Sequence, residues 1–476
     1  MATPFVFRSA LDPGNPAHQR VTVPRTDLIQ ALAADIAAVR YPLIRGGRQM
    51  GKSTACLQLV DHIRREHPQD WLACYVDCQA LVGASAEIAV SMLHNIVLTD
   101  ALHSTSDETI EASLAVLPRP TTFYEFGLFV EGVAHALRSL NRLVLIVDEI
   151  ESLMKDTLYS VLGAFRSFHH RYSRAPEAFC CCVIITCTTN IAALCIGPGS
   201  PYNIAWPHDL EEVSSEQWRA VLSQAGGVPF EEDALTRLFL EVGGQPYLLQ
   251  RVSDRAVLNA QQAGVHTLNQ NHVLDGVFWL FEMGDRHLAI LSQEAEADPA
   301  RLALCADLLR GHLTPFERIQ ETINDLADVG LIVEVDGPRL VRFRNRLYER
   351  LMLNLQYQNL GGPKGTYLRE YGHLLVLCSE IQNVVLNEDL WKEISPTLTQ
   401  SKRRLPGDIE YLVNACITAL GQTANPVMTN LDVDFVNAAR RYVLGAQAQQ
   451  PLTRTDVLQA CACLLVERWQ CGGSQR

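Results

Sequence analysis

The segment Gly46-Gly-Arg-Gln-Met-Gly51-Lys52-Ser53 constrains this chain more than any other, because it fits G-x-x-x-x-G-K-S without a mismatch. The spacing has a chemical reason. Glycines let the backbone curl so that successive N–H groups face a phosphate, and the N-terminus of a following helix adds its own amides and dipole. Lys52 is then placed to reach the β- and γ-phosphates of a nucleotide, and the Ser53 hydroxyl to ligate Mg²⁺. Gly47, Arg48, Gln49 and Met50 form the body of the loop, and Thr54 continues it into the first helical turn. Such a loop needs a buried strand before it and an amphipathic helix after it. Tyr41 to Arg45 reads as that strand, and Ser53 to Arg65 carries apolar residues at helical spacing.

The alternation continues along the chain. Arg25 to Arg40 and Phe123 to Leu140 read as helices, while Trp71 to Asp77, Leu143 to Val147, Phe179 to Ile185 and Asn203 to Leu210 read as strands. Buried strands alternating with helices imply a parallel sheet covered on both faces. In that setting Leu143-Val-Leu-Ile-Val-Asp148-Glu149 is a strand delivering acids at its C-terminal edge. Asp148 is expected to hold Mg²⁺, usually through water, and Glu149 to orient or deprotonate an attacking water. Glu151 reads as a flank or cap of the next helix. Thr186, Thr188, Thr189 and Asn190 follow another central strand, where a polar side chain such as Thr188 would sense the γ-phosphate.

Beyond the sheet, Glu216 to Gln262 is helical in pattern, interrupted by Gly243-Gly-Gln-Pro246. Glu294 to Gly330 reads as two or three helices. Leu331 to Val335 and Leu340 to Phe343 alternate around Asp336-Gly337, a good hairpin turn. Helices followed by such a hairpin suggest a winged-helix module. Gln358 to Thr366 reads as a linker and Tyr367 to Gln470 as all helical. The expected organisation is therefore an α/β core over 1–212, a helical segment over 213–290, a winged helix over 291–357 and an all-α C-terminal domain over 367–476.

The formal net charge of −13 argues against general binding of polyanions. Fourteen cysteines sit largely within apolar runs, Cys180, Cys181, Cys182 and Cys187 among them, with no paired CxxC spacing. Buried, reduced thiols are the expectation. With no export-type start and no apolar run near 20 residues, the sequence reads as cytoplasmic, with no membrane partner.

Taken together, the chain resembles the AAA-like ATPase domains of bacterial signalling and conflict proteins, near the STAND NTPases. The resemblance rests on Arg48 to Ser53, Asp148-Glu-Ile-Glu-Ser-Leu153, Ser200-Pro-Tyr-Asn-Ile204, Gly243-Gly-Gln-Pro-Tyr-Leu-Leu-Gln250 and Arg344-Asn-Arg-Leu-Tyr348, and spans roughly residues 5 to 355. It implies an ASCE-type P-loop core, a helical lid and a winged helix, with ATP/ADP and Mg²⁺ as ligands. It implies that Gly244 and Pro246 pack near the base; Gln245 stands where relatives often have histidine. Family members work as nucleotide-gated switches, closed with ADP and assembling as homo-oligomers with ATP. An arginine from a neighbouring subunit often completes their sites, and Arg166, Arg171 and Arg174 are the candidates. The tail beyond residue 366 falls outside the resemblance, and its helical pattern fits an interaction domain docking a protein effector. The alternative is a DNA-associated ATPase of initiator or transposition-regulator type, in which Arg339, Arg342, Arg344, Arg346 and Arg350 around the hairpin meet phosphates.

Overall fold

The computed structural model describes residues 4–7, 9–174, 179–188, 204–225, 227–309, 314–317, 320–335 and 339–358. The expected hairpin turn at Asp336-Gly337, Thr189, Asn190, the segment 200–203, the linker over 359–366 and the helical tail over 367–476 lie outside the described residues.

Five strands form one parallel sheet: β1 (Tyr41–Arg45), β2 (Trp71–Asp77), β3 (Arg142–Asp148), β4 (Cys180–Cys187) and β5 (Ala205–Asp209). Their order is β2-β3-β4-β1-β5, so the first strand lies inside the sheet and the chain crosses over it. Two helices, α1 (Pro16–Gln19) and α2 (Thr26–Ala37), precede the sheet, and the crossovers between parallel strands are made by α3 (Lys52–Glu66), α4 (Ala86–His103), α5 (Glu108–Ala115), α6 (Phe123–Leu137) and α7 (Lys155–Tyr172). Past the sheet run α8 (Ser215–Ala225), α9 (Glu232–Val242), α10 (Pro246–Ala263), α11 (Gln270–Glu282), α12 (Arg286–Glu296), α13 (Pro299–Leu309) and α14 (Glu321–Asp328). The strands β6 (Ile332–Val335) and β7 (Leu340–Phe343) and the helix α15 (Arg346–Gln358) follow.

The core explains the sequence pattern. Every residue of β4 is buried, as are Leu143 to Asp148 of β3, because both strands have neighbours on each side and helices on each face. Each buried branched side chain contributes about 1.5–3 kcal/mol relative to exposure. Pro42 lies opposite Trp206 of the edge strand β5, and pairing with β4 begins one residue later, at Leu43 with Ile185. Helix α4 has no clear apolar stripe, since it packs on β2 and also on α6 and α7. Its fully buried residues, Ala89, Val90, Leu93, His94, Val97 and Ala101, lie on one face, but Met92, Ile96, Leu98 and Leu102 are apolar and partly buried around the rest of the helix.

The chain divides into two compact units. The first holds residues 1–276 with 319–330, and the second holds 277–318 with the residues from 331 onward. Within the second, β6 and β7 pair antiparallel, with Ile332 opposite Phe343 and Val335 opposite Leu340. The arginines around this hairpin do not form one exposed cluster. Arg346 and Arg350 are buried, and the Arg350 guanidinium lies 5.6 Å from the Phe278 ring centroid. Arg339 is exposed and pairs with Glu334 at 2.9 Å. Two of the five arginines expected to meet phosphates are thus turned into the unit, because the amphipathic start of α15 packs inward.

The described cysteines are free and buried. Burial pushes their thiols up, that of Cys182 to about 12. At pH 8 a thiol with that pKa is about a thousandfold less ionised than an exposed one, and only the thiolate alkylates. Iodoacetamide applied to the native protein at pH 8 should therefore leave Cys74, Cys180, Cys181 and Cys182 unmodified by peptide mass, with all four modified in denaturant. Native labelling of Cys182 at the rate of a free thiol would contradict its central position in the sheet.

Candidate functional site

The site stands at the C-terminal edge of the sheet. Leaving β1, the chain passes through Gly46 to Gly51 and turns straight into α3 at Lys52. Gln49 and Gly51 adopt positive φ, 58° and 89°, which is what curls the loop. At Gly51 this suits glycine, which has no Cβ to clash. Met50 is buried against Leu210 and anchors the loop from beneath. The Lys52 ammonium donates to the carbonyls of Gly46 at 2.9 Å and Gly47 at 3.1 Å, so the lysine folds back along its own loop. Burial lowers its pKa, and the carboxylates of Glu151, Asp148 and Glu149 oppose that shift.

Two strands away, β3 ends in the acids. Asp148 is only 2% exposed, yet both of its oxygens are met. Tyr75 on β2 donates to Oδ2 at 2.7 Å, Thr186 on β4 donates to Oδ1, and the Glu149 amide donates to Oδ1 at 3.1 Å. Burial and the neighbouring Asp148 push the Tyr75 phenol well up, which keeps it a donor. Glu149 follows with φ 51°, and its carboxylate accepts from the side chain of Gln79. The parallel register brings these groups together: Asp77 lies opposite Asp148, so β2 delivers its last residues beside the acids.

Thr188 is differently employed from the sequence expectation. Its amide and hydroxyl both donate to Glu151 Oε1, the amide at 2.7 Å, and it does not line the cavity described next. Glu151 accordingly holds the end of β4 rather than capping the following helix. Thr186, inside the strand, is the residue of this group that reaches an acid.

A cavity of ≈ 480 Å³ joins these elements, lined by Gln49 to Thr54, Asp148 and Glu149 on one side. Its other walls come from Pro246, Tyr247 and Gln250 on α10, from Trp218, and from an N-terminal segment that includes Phe7, Leu11 and Val21. That segment is tied down at several points. Gln250 donates to the Val21 carbonyl at 2.7 Å and accepts from the Val6 amide at 3.4 Å. The Leu11 amide donates to Thr54 Oγ1 at 3.0 Å, and Phe5 stacks on Trp218 with centroids 6.2 Å apart. The first turn of α10 approaches equally closely. A Cβ on Gly244 would lie 2.4 Å from the Val213 carbonyl oxygen, so only glycine fits there.

Tyr75, Gln79, Trp218 and the N-terminal segment were not identified from sequence. Tyr75 and Asp77 sit two apart at the C-terminal end of a strand, a pattern that marks the reactive edge of a parallel sheet and was available as a signal. The N-terminal segment has no periodic pattern and carried no comparable signal. Arg166 lies within α7, and Arg171 and Arg174 lie at or just past its C-terminal end, before β4 begins. Cys180 at the start of β4 pairs with Arg142, at the opposite end of β3 from Asp148. At about 3.3 Å per residue this places the helix end, with Arg171 and Arg174, roughly 20 Å from the acids of their own chain, while Arg166 lies about two turns back inside α7. Arg171 pairs with Glu131 at 2.6 Å, and Arg174 is exposed.

A family model described as an AAA-like domain matches residues 26–352, well over half of the chain. The chain belongs to this AAA-like family. Among solved structures, this AAA-like domain is similar to a Walker-type ATPase of Pyrococcus abyssi, with a TM-score of 0.53 at 14% identity over 74% of this chain and 100% of that one. It also matches the Aeropyrum pernix ORC2 protein, solved as ADPNP and ADP complexes, with a TM-score of 0.40 at 14% identity over 75% and 100% of the two chains. The RuvB Holliday junction branch migration motor of Thermotoga maritima matches with a TM-score of 0.38 at 15% identity over 72% and 98%. A search of curated proteins gave no match. The α/β fold, with its five-stranded parallel sheet, is thus that of the ASCE P-loop ATPases.

The arrangement around Asp148 makes a measurable difference to the nucleotide-free protein. Removing the Tyr75 hydroxyl takes away a bond to a buried carboxylate, a class of bond worth about 1.5–3 kcal/mol. Tyr75→Phe should lower the free energy of urea unfolding by about that amount. An unchanged unfolding midpoint would mean that water replaces the phenol.

Proposed function

We propose that this AAA-like protein binds ATP with Mg²⁺ and hydrolyses it slowly, as a switch that controls its own assembly or the recruitment of a partner. One observation carries the reading: Lys52 with its loop and Asp148 with Glu149 arrive on two strands flanking β4 and line one cavity. The residues present fit the ligand. The positive-φ Gly51 exposes the loop amides, and the first turn of α3 supplies unsatisfied N–H groups for phosphate oxygens. Gly46 to Thr54 would cradle the phosphates, with Lys52 neutralising their charge, and Ser53 and Asp148 would hold Mg²⁺. The ion would supply charge neutralisation on the phosphates.

Glu149 is the group suited to take a proton from an attacking water. Its carboxylate is engaged by Gln79 and its backbone lies in the left-handed region, so it must be released before it can act. That supports slow turnover. Pro246 and Tyr247 on α10, with Trp218 and the N-terminal segment, would enclose the base and ribose. Thr188 would respond to the γ-phosphate only after leaving Glu151. Arg171 and Arg174 are too distant to serve their own site, so they, like Arg166, would act on a neighbouring subunit. The four-part organisation, with a helical lid, a winged helix and a C-terminal domain docking an effector in the cytoplasm, belongs to the same proposal. The DNA-associated alternative is less well supported, since two of its five arginines are buried.

Equilibrium binding and mass in solution test the reading together. Lys52→Ala should lose nucleotide binding. Glu149→Gln should keep it while turnover falls at least about a hundredfold, in the range for loss of a general base. With ATP, Glu149→Gln should form assemblies that ADP does not support and that Lys52→Ala never forms. A mass indifferent to nucleotide would refute the assembly part. Separately, Gln79→Ala should raise single-turnover hydrolysis several-fold; a fall would mean that Gln79 positions Glu149 for the reaction.

A further inference from the structure

We propose that Gln245 is a positioning residue that clamps the phosphate loop to α10, so that the state of the loop is felt by that helix and by the N-terminal wall beyond it. The proposal rests on the reading that the loop binds a nucleoside triphosphate.

Gln245 is 1% exposed and uses both ends of its amide. Its Oε1 accepts from the Leu248 amide at 2.6 Å and so caps the start of α10. Its Nε2 donates to the carbonyls of Gln49 at 3.3 Å and Arg48 at 3.5 Å. These carbonyls belong to the strained part of the loop, since Gln49 holds φ 58° without being glycine. A donor from outside the loop is what keeps such a conformation in place. The same helix grips the opposite wall. Gln250, five residues on and therefore about 140° around the helix, holds the Val21 carbonyl and the Val6 amide.

The clamp has little slack. Pro246 fixes the first helical φ, and Gly244 is pressed against Val213, whose amide donates to the Gly244 carbonyl at 2.9 Å. Any phosphate that reorients the Arg48 and Gln49 peptides must therefore either break the Gln245 bonds or load α10. Nucleotide affinity and the stability of α10 are linked, and the linkage runs in both directions.

Gln245→Glu isolates this role. The carboxylate still accepts from Leu248, so the helix keeps its cap, but it cannot donate to the loop carbonyls and sets a charge against them. In the full-length protein we would measure MgADP affinity, together with hydrogen exchange of the α10 amides with and without MgADP. Gln245→Glu should bind MgADP at least tenfold more weakly. Nucleotide-dependent protection of α10, present in the wild type, should be lost. Gln245→Asp, a good cap too short to reach the loop, should behave likewise if the glutamate variant folds poorly. Wild-type affinity with unchanged protection of α10 in both variants would overturn the proposal. A wild-type chain that binds no nucleotide, indistinguishable from Lys52→Ala, would instead remove the reading underneath and the clamp with it.

Discussion

A carboxylate buried to 2% exposure must have its charge met within the protein, and the architecture around Asp148 is a solution to that requirement. Three elements supply donors: Tyr75 from β2, Thr186 from β4 and the backbone of Glu149. The two side chains come into reach through the parallel register of β2, β3 and β4, in which Asp77 faces Asp148 and Val147 faces Ile185. A one-residue slip in either pairing would turn alternate side chains to the wrong face and strand the charge. On the other side of β4, its parallel pairing with β1 brings the loop alongside, and the cavity opens between loop and acids.

The parts of the fold that were legible in sequence are those where one physical rule dominates. The strands at Tyr41–Arg45 and Trp71–Asp77 have the bounds that burial on both faces and flanking breakers dictate. The loop is legible because its chemistry tolerates few residue types. Helix α4 was not, because apolar residues outside its buried face, such as Ile88, Met92 and Leu98, blur the amphipathic stripe that marks a helix. The arginines near β7 misled for a related reason: counting charges along a strand ignores the helix that follows, and Arg346 and Arg350 belong to α15 and face inward. Thr188 was placed correctly at the end of a strand, but its partner, Glu151, lies 37 residues away and could not be read from spacing.

The remaining walls of the cavity illustrate a second limit. Gln250 and Gln245 are ordinary polar residues in a helical stretch, and nothing in their spacing identifies them as bonded to backbone more than 190 residues distant. Buried glutamines of this kind satisfy main-chain groups that have no secondary-structure partner. Here those groups belong to two irregular segments, the phosphate loop and the N-terminal wall, which is why one helix can hold both.

The strand order has a consequence for how the chain comes to be folded. The phosphate loop lies near the start of the sequence, yet β1 pairs only with β4 and β5, whose first residues are Cys180 and Ala205. At synthesis rates of about 5–20 residues per second, the loop emerges from the ribosome roughly 10–30 s before its last partner strand has been made. During that interval the apolar Tyr41–Ile44 segment has no sheet to enter, and the helix that follows has no face to cover. The nascent chain therefore passes through a window in which its most demanding feature is also its least protected, and a chaperone that shelters the first 200 residues would act on yield rather than on final stability.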